Sequence, residues 1–182
     1  MLKNLNPNYA IVLSTLLWGT WWYPLRLLNE YAYNNAIPLT LSFTIAGLFL
    51  LFFSYKNISK LTNRNLILTI VAASAGAAAM CLYNEGLIRG NVARVLIFFY
   101  LTAVWSTLIE IIFLRAALNI YRFFSISSGF IGLFIITGLD QGNFMPSTLA
   151  DLFGILSGFL WSICATLIRT VSYTHLRAHE TS

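Results

Sequence analysis

Glu110 stands inside an apolar run, LTAVWSTLIEIIFL, with Thr102 and Ser106 before it on the same helical face at i, i+4 and i+8. A carboxylate at the centre of a bilayer costs about 3 kcal/mol unless it is paired, hydrated or protonated. Two readings account for it. It takes up and releases a proton, or gates a passage, with the Thr102 and Ser106 hydroxyls continuing a polar stripe. Alternatively it lies near the water and pairs with Arg115, just beyond the run. Tyr100 joins Ser106 and Glu110 as a candidate lining residue of such a passage.

A second stripe lies near the N-terminus, in LSTLLWGTWWYPLRLL. Thr15, Gly19, Trp22 and Arg26 fall at i, i+4, i+7 and i+11, on one helical face. Arg26 there would attract an anionic or carboxylate-bearing solute, and Trp22 would stack on it. Pro24 has no N–H for the Thr20 carbonyl, and its ring crowds that turn, so a kink is expected. The alternative makes Trp21, Trp22 and Tyr23 an interfacial belt, with Arg26 snorkelling to the headgroups. Arg94 is expected to pair with Glu85, as is Arg89 at i+4.

Other chemistries lack their residues. Both histidines, His175 and His179, fall near the C-terminal end, and no apolar run contains one. That argues against an intramembrane zinc site, haem ligation or a Ser–His dyad. Cys81 and Cys164 lie singly in apolar runs and suit packing. No phosphate-cradling glycine loop is present, so no cofactor, metal or catalytic residue is expected, and an enzyme is not.

These residues must be held by membrane helices. The chain has 182 residues, 58% hydrophobic and only 9% charged, against about 25% charged in soluble domains. The net charge of +5 sits between apolar runs, which excludes a nucleic-acid surface and suits topology-setting charge. Apolar runs at 9–28, 38–55, 66–83, 92–114, 123–139 and 149–168 are each close to the ~20 residues a helix needs to cross a bilayer. None alternates as a barrel strand would. The expected fold class is all-α, a polytopic membrane bundle of six helices joined by short polar linkers. Pro38 suits the first turn of its helix. Lys3, Lys56, Lys60, Arg64, Arg115, Arg122 and Arg169 fall on one side, against Arg26, Arg89 and Arg94 on the other. The richer side is expected in the cytoplasm, together with the N-terminus.

Small residues mark packing faces: AASAGAAA at 72–79, Ser128 with Gly132, and Gly154, Gly158 and Ser162. LSTLLW at 13–18 returns as LSGFLW at 156–161, and at the same offset Asn8 meets Asp151 and Arg26 meets Arg169. An odd number of spans separates the copies, so they enter the membrane from opposite faces. That is an inverted repeat, as in many secondary transporters.

LSTLLWGTWWYPLRLL, LIFFYLTAVWSTLIEIIFL and SSGFIGLFIITG resemble the EamA-type transporters of the drug/metabolite transporter superfamily, and DLFGILSGFLWSICATLIR resembles the opening of their second repeat. The resemblance implies residues 1–148 as a first five-helix repeat and 149–170 as the first helix of an inverted second one. VSYTHLRAHETS, residues 171–182, has no apolar period and is expected to be a non-native tail on a C-terminally truncated fragment. The implied function is secondary transport of small metabolites, as an exporter working by alternating access, with proton coupling. The alternative is a non-transporting membrane scaffold or assembly subunit. Expected partners are the lipid bilayer, a small-molecule substrate, and the missing second repeat or a second copy. The expected location is the bacterial inner membrane.

Overall fold

A computed structural model of the chain describes residues 7–31, 43–53, 63–115, 119–136 and 146–180, and every regular element among them is an α-helix. The chain divides into two compact units, Met1–Leu51 and Phe52–Ser182.

The first unit holds α1 (Pro7–Thr20) and α2 (Trp22–Tyr31); α3 (Phe43–Phe53) follows them. The apolar side chains of α1, among them Ile11, Leu13, Leu16 and Leu17, are exposed, as suits a surface facing lipid. Its hydroxyls return to their own backbone: Ser14 donates to the Ile11 carbonyl at 2.8 Å and Thr20 to that of Leu16 at 2.9 Å. A polar group in hydrocarbon is thereby satisfied without a partner helix. The helix is interrupted at Trp21, whose N–H reaches back only to the Trp18 carbonyl, 3.3 Å away. Pro24 follows within a turn and offers no N–H to Thr20. Pro38 lies outside the described residues.

The second unit is built from α4 (Asn63–Arg89), α5 (Val92–Tyr100), α6 (Thr102–Leu114), α7 (Ile120–Ile136) and α8 (Leu149–Glu180). Helix α8 packs along α4 on one side and along α5 and α6 on the other. Among the described residues, three segments are long and apolar enough to cross a membrane: Asn63–Arg89, Val92–Phe113 and Leu149–Val171. The chain is therefore an all-α membrane bundle, and its fourth run spans the length read from the sequence.

Three boundaries differ from expectation. The linker expected at 84–91 is mostly helix, because α4 runs on to Arg89. Glu85 and Arg89 pair across that last turn at 3.0 Å. The turn shrinks to Gly90 and Asn91, and the Asn91 side chain caps α5 by accepting from the Ala93 and Arg94 amides. A Cβ on Gly90 would lie 2.4 Å from that of Ala150, so only glycine fits where α8 begins. Helix α7 starts at Ile120 rather than 123, because Asn119 Oδ1 accepts the Tyr121 amide at 3.0 Å. Helix α8 continues to Glu180, into the segment expected to be a tail without helical period.

Small residues set the crossings. Ala72, Gly76, Ala79, Tyr83 and Leu87 form the buried face of α4 at helical spacing. A Cβ on Gly76 would come within 3.0 Å of Cys164 Sγ. On α8, a Cβ on Gly154 would meet the Val95 carbonyl at 2.9 Å, and one on Gly158 the Phe99 carbonyl at 2.6 Å. The backbones of α5 and α8 thus touch directly, which is how helices associate where lipid supplies no hydrophobic drive. Ser157 and Ser162 are fully buried beside this ridge and bond to carbonyls on their own helix. The Ser128–Gly132 stripe behaves otherwise, since a Cβ on Gly132 would meet nothing within 4 Å.

Candidate functional site

The stripe on α6 is turned towards α8. Thr102 Oγ1 donates to the Gly158 carbonyl at 2.5 Å, and Ser106 returns to the Thr102 carbonyl at 2.5 Å. Glu110 accepts from Arg122 Nη1 of α7, and from Arg169 Nη1 of α8 at 2.7 Å. One carboxylate therefore ties three helices together. Arg115, the partner weighed in the sequence, ends α6 in a left-handed conformation with φ 51°, and it meets Glu110 through the backbone, its amide donating to the Glu110 carbonyl.

Arg94 is engaged elsewhere than expected. Its Nε and Nη2 donate to the two oxygens of Asp151 at 3.2 and 2.9 Å. Asp151 Oδ2 also accepts the Ser147 and Thr148 amides, while the Asp151 amide bonds back to Thr148 Oγ1. This is a reciprocal helix cap with an arginine added. The Asp151 side chain is only 3% exposed, yet its charge is fully compensated, as a buried carboxylate requires. Thr148 and Asp151, three apart at the head of an apolar run, carry the sequence signal for this cap, which the sequence reading left unused.

The two charge sites bracket the membrane. From Arg94 to Glu110 the helix rises about 24 Å, and from Asp151 to Arg169 about 27 Å, at ~1.5 Å per residue. Both spans approach the ~30 Å hydrocarbon core. Arg94 and Asp151 thus mark one interface, and Glu110, Arg122 and Arg169 the other.

Between them the span tightens without ending: Leu101 keeps right-handed helical dihedrals (φ −55°, ψ −12°), and the Trp105 N–H still bonds to its carbonyl at 2.9 Å. Leu101 lies between α5 and α6, and its N–H reaches the Phe98 carbonyl at 3.3 Å, a tightened turn. The close crossing at Gly158 lies on one side of this turn. Nearby, Tyr100 and Ala103 line a cleft of about 540 Å³ with Ser125, Ile126, Gly129 and Phe130 of α7. That volume suits a small molecule, and its walls are mainly apolar.

In the first unit, Thr15 donates to the Ile11 and Val12 carbonyls at 2.9 Å. Gly19 would meet nothing within 4 Å if it carried a Cβ. The Arg26 guanidinium lies over the Trp22 ring, 6.0 Å from its centroid, one turn away on the same helix. The candidates therefore form two groups. Trp22 and Arg26 are brought together directly, and Glu110 is joined to cations that the sequence did not assign to it.

The family model for EamA-like transporters matches residues 6–138. No curated protein and no solved structure matches the chain. The matched stretch covers α1 to α7 and more than half of the length, and the apolar spans agree with it. The chain is a multi-pass integral membrane protein that belongs to the EamA-like transporter family.

Proposed function

We propose that the chain carries small metabolites across the membrane as a secondary transporter, exporting them by alternating access. The observation that supports this best is the tightened turn at Leu101, set beside the cleft at Tyr100 and Ala103. Irregular turns within a span are often found at functional points, and transporter sites lie near the middle of the membrane. The interruption at Trp21 supplies a second such point, in the helix that carries Thr15, Gly19, Trp22 and Arg26. Those residues are proposed pathway candidates within the first unit, and Tyr100 and Ser106 within the second. Residues 1–148 are assigned to one five-helix repeat and 149–170 to the opening of an inverted second one. The distribution of basic residues supports a cytoplasmic N-terminus, and a bacterial inner membrane is the proposed location.

Glu110 is the proposed coupling group. Its carboxylate binds guanidiniums from α7 and α8, so protonation releases both helices from α6 at once. Proton uptake and helix movement then form one event. The test is solute flux into liposomes under an imposed pH gradient. Glu110→Gln should abolish the dependence on the gradient, and unchanged coupling in that variant removes the residue from the mechanism. Flux that is absent from the wild type across a broad metabolite panel favours the scaffold reading instead.

A further inference from the structure

We propose that Arg122 and Arg169, held side by side by Glu110, form a binding site for a phosphate group at the membrane surface. The two charge sites of the bundle are built differently. At one end, among the described residues, both carboxylate oxygens of Asp151 accept from the single guanidinium of Arg94. At the other end two guanidiniums share a single carboxylate, which leaves a net positive charge. The carboxylate is the inner member, with its side chain 12% exposed, whereas Arg122 is 39% and Arg169 59% exposed.

Donor geometry follows from this. Each guanidinium gives a single Nη1 to Glu110, and its other N–H groups have no further partner among the described residues. A guanidinium carries several donors in a planar fork suited to phosphate oxygens. Glu110 fixes the spacing of the two forks, so a phosphate meets a pair already oriented. The depth is also right. The cluster lies about 24 to 27 Å along the helices from the opposite charge pair, at ~1.5 Å per residue, close to the ~30 Å hydrocarbon thickness, and exposed arginines there can snorkel to headgroup phosphates. The phosphate belongs either to an anionic lipid or to a soluble ion, and both present the same oxygens. The site does not depend on the transport reading.

The test uses the full chain in detergent, with phosphatidylglycerol and phosphatidylcholine as probes and native mass spectrometry as the readout. Wild type should retain phosphatidylglycerol over phosphatidylcholine, and Arg169→Gln should lower that retention roughly tenfold, the scale of one charge-assisted contact. Arg169 is the most exposed member, so its loss should leave the helices folded, which unchanged helicity would verify. Glu110→Gln removes the carboxylate that orients the two forks and should lower retention as well. Displacement of the lipid by inorganic phosphate assigns the site to a soluble ion, and resistance to displacement assigns it to the lipid. Equal retention of both lipids by the wild type, or undiminished retention by Arg169→Gln, overturns the proposal.

Discussion

Glu110 and Arg169 are 59 positions apart in the chain, yet Arg169 Nη1 donates to Glu110 Oε1 at 2.7 Å. The bond fixes the depth of α8 against α6, and Arg122 fixes that of α7 against the same carboxylate. Truncating Glu110 leaves the two arginines facing each other. A buried pair broken on one side costs about 3–5 kcal/mol. The exposed flank of this cluster is screened by water, so Glu110→Ala should cost about 1–2 kcal/mol. Thermal unfolding in detergent measures this. A double-mutant cycle with Arg169→Ala should return a coupling of about 0.5–1 kcal/mol, and additive effects would refute the pairing.

The opposite end should be more sensitive. Asp151 holds Arg94 and the Ser147 and Thr148 amides in a nearly closed site. Asp151→Ala leaves Arg94 part-buried and opens the cap of α8, so a loss of about 3–5 kcal/mol is expected. Glu85→Ala serves as comparison. It breaks the exposed pair with Arg89 on a single helix, which water screens, so little stability should be lost. Equal losses in the two variants would mean that Asp151 is not the anchor of this end.

Much of this architecture is visible in the residues. The run at 92–114 is a span of that length, because length and apolarity are local properties. The Gly154, Gly158 and Ser162 spacing marks the face that meets α5, because only small side chains allow backbones to touch. Ion partners are harder to read. Arg94 chose Asp151 over the nearer Glu85, and Glu110 chose Arg122 and Arg169 over Arg115, because pairing depends on which helices are neighbours at one depth. That information is absent from any single run. Helix ends differ where polar residues continue or cap a helix rather than break it, at Asn84 to Arg89 of α4 and at Asn119 before α7. The apolar runs say where hydrocarbon lies, and helices extend beyond it.

Glycines on the two faces should respond in opposite ways. A methyl at Gly158 would sit 2.6 Å from the Phe99 carbonyl, beside the tightened turn between α5 and α6. Backbone cannot yield as a flexible side chain does, so Gly158→Ala should destabilise the bundle by about 1–3 kcal/mol. It should also lower flux if that turn moves during transport. Gly19→Ala meets nothing within 4 Å and should stabilise its helix by up to about 1 kcal/mol. Unfolding curves for both variants decide this, and a harmless Gly158→Ala would show that α5 and α8 do not cross there.

The register of α4 against α8 can be tested by a covalent bond. A Cβ built on Gly76 lies 3.8 Å from the Cβ of Cys164 and 3.0 Å from its sulfur. Disulfides have Cβ atoms about 3.5–4.5 Å apart, so Gly76→Cys places a second thiol at bonding range without backbone movement. Cys164 is buried at this crossing, while Cys81 on the same helix as Gly76 is exposed. The experiment therefore uses a Cys81→Ser background. Mild oxidation of Gly76→Cys should form an intramolecular bond, seen as a faster-migrating, reductant-sensitive band after proteolysis-free denaturation. Gly76→Ser in the same background should show none. Shifting the new cysteine one position, with Ala77→Cys, turns the thiol about 100° around the helix and should prevent closure. Efficient bonding from position 77 and none from 76 would mean that α4 presents a different face to α8.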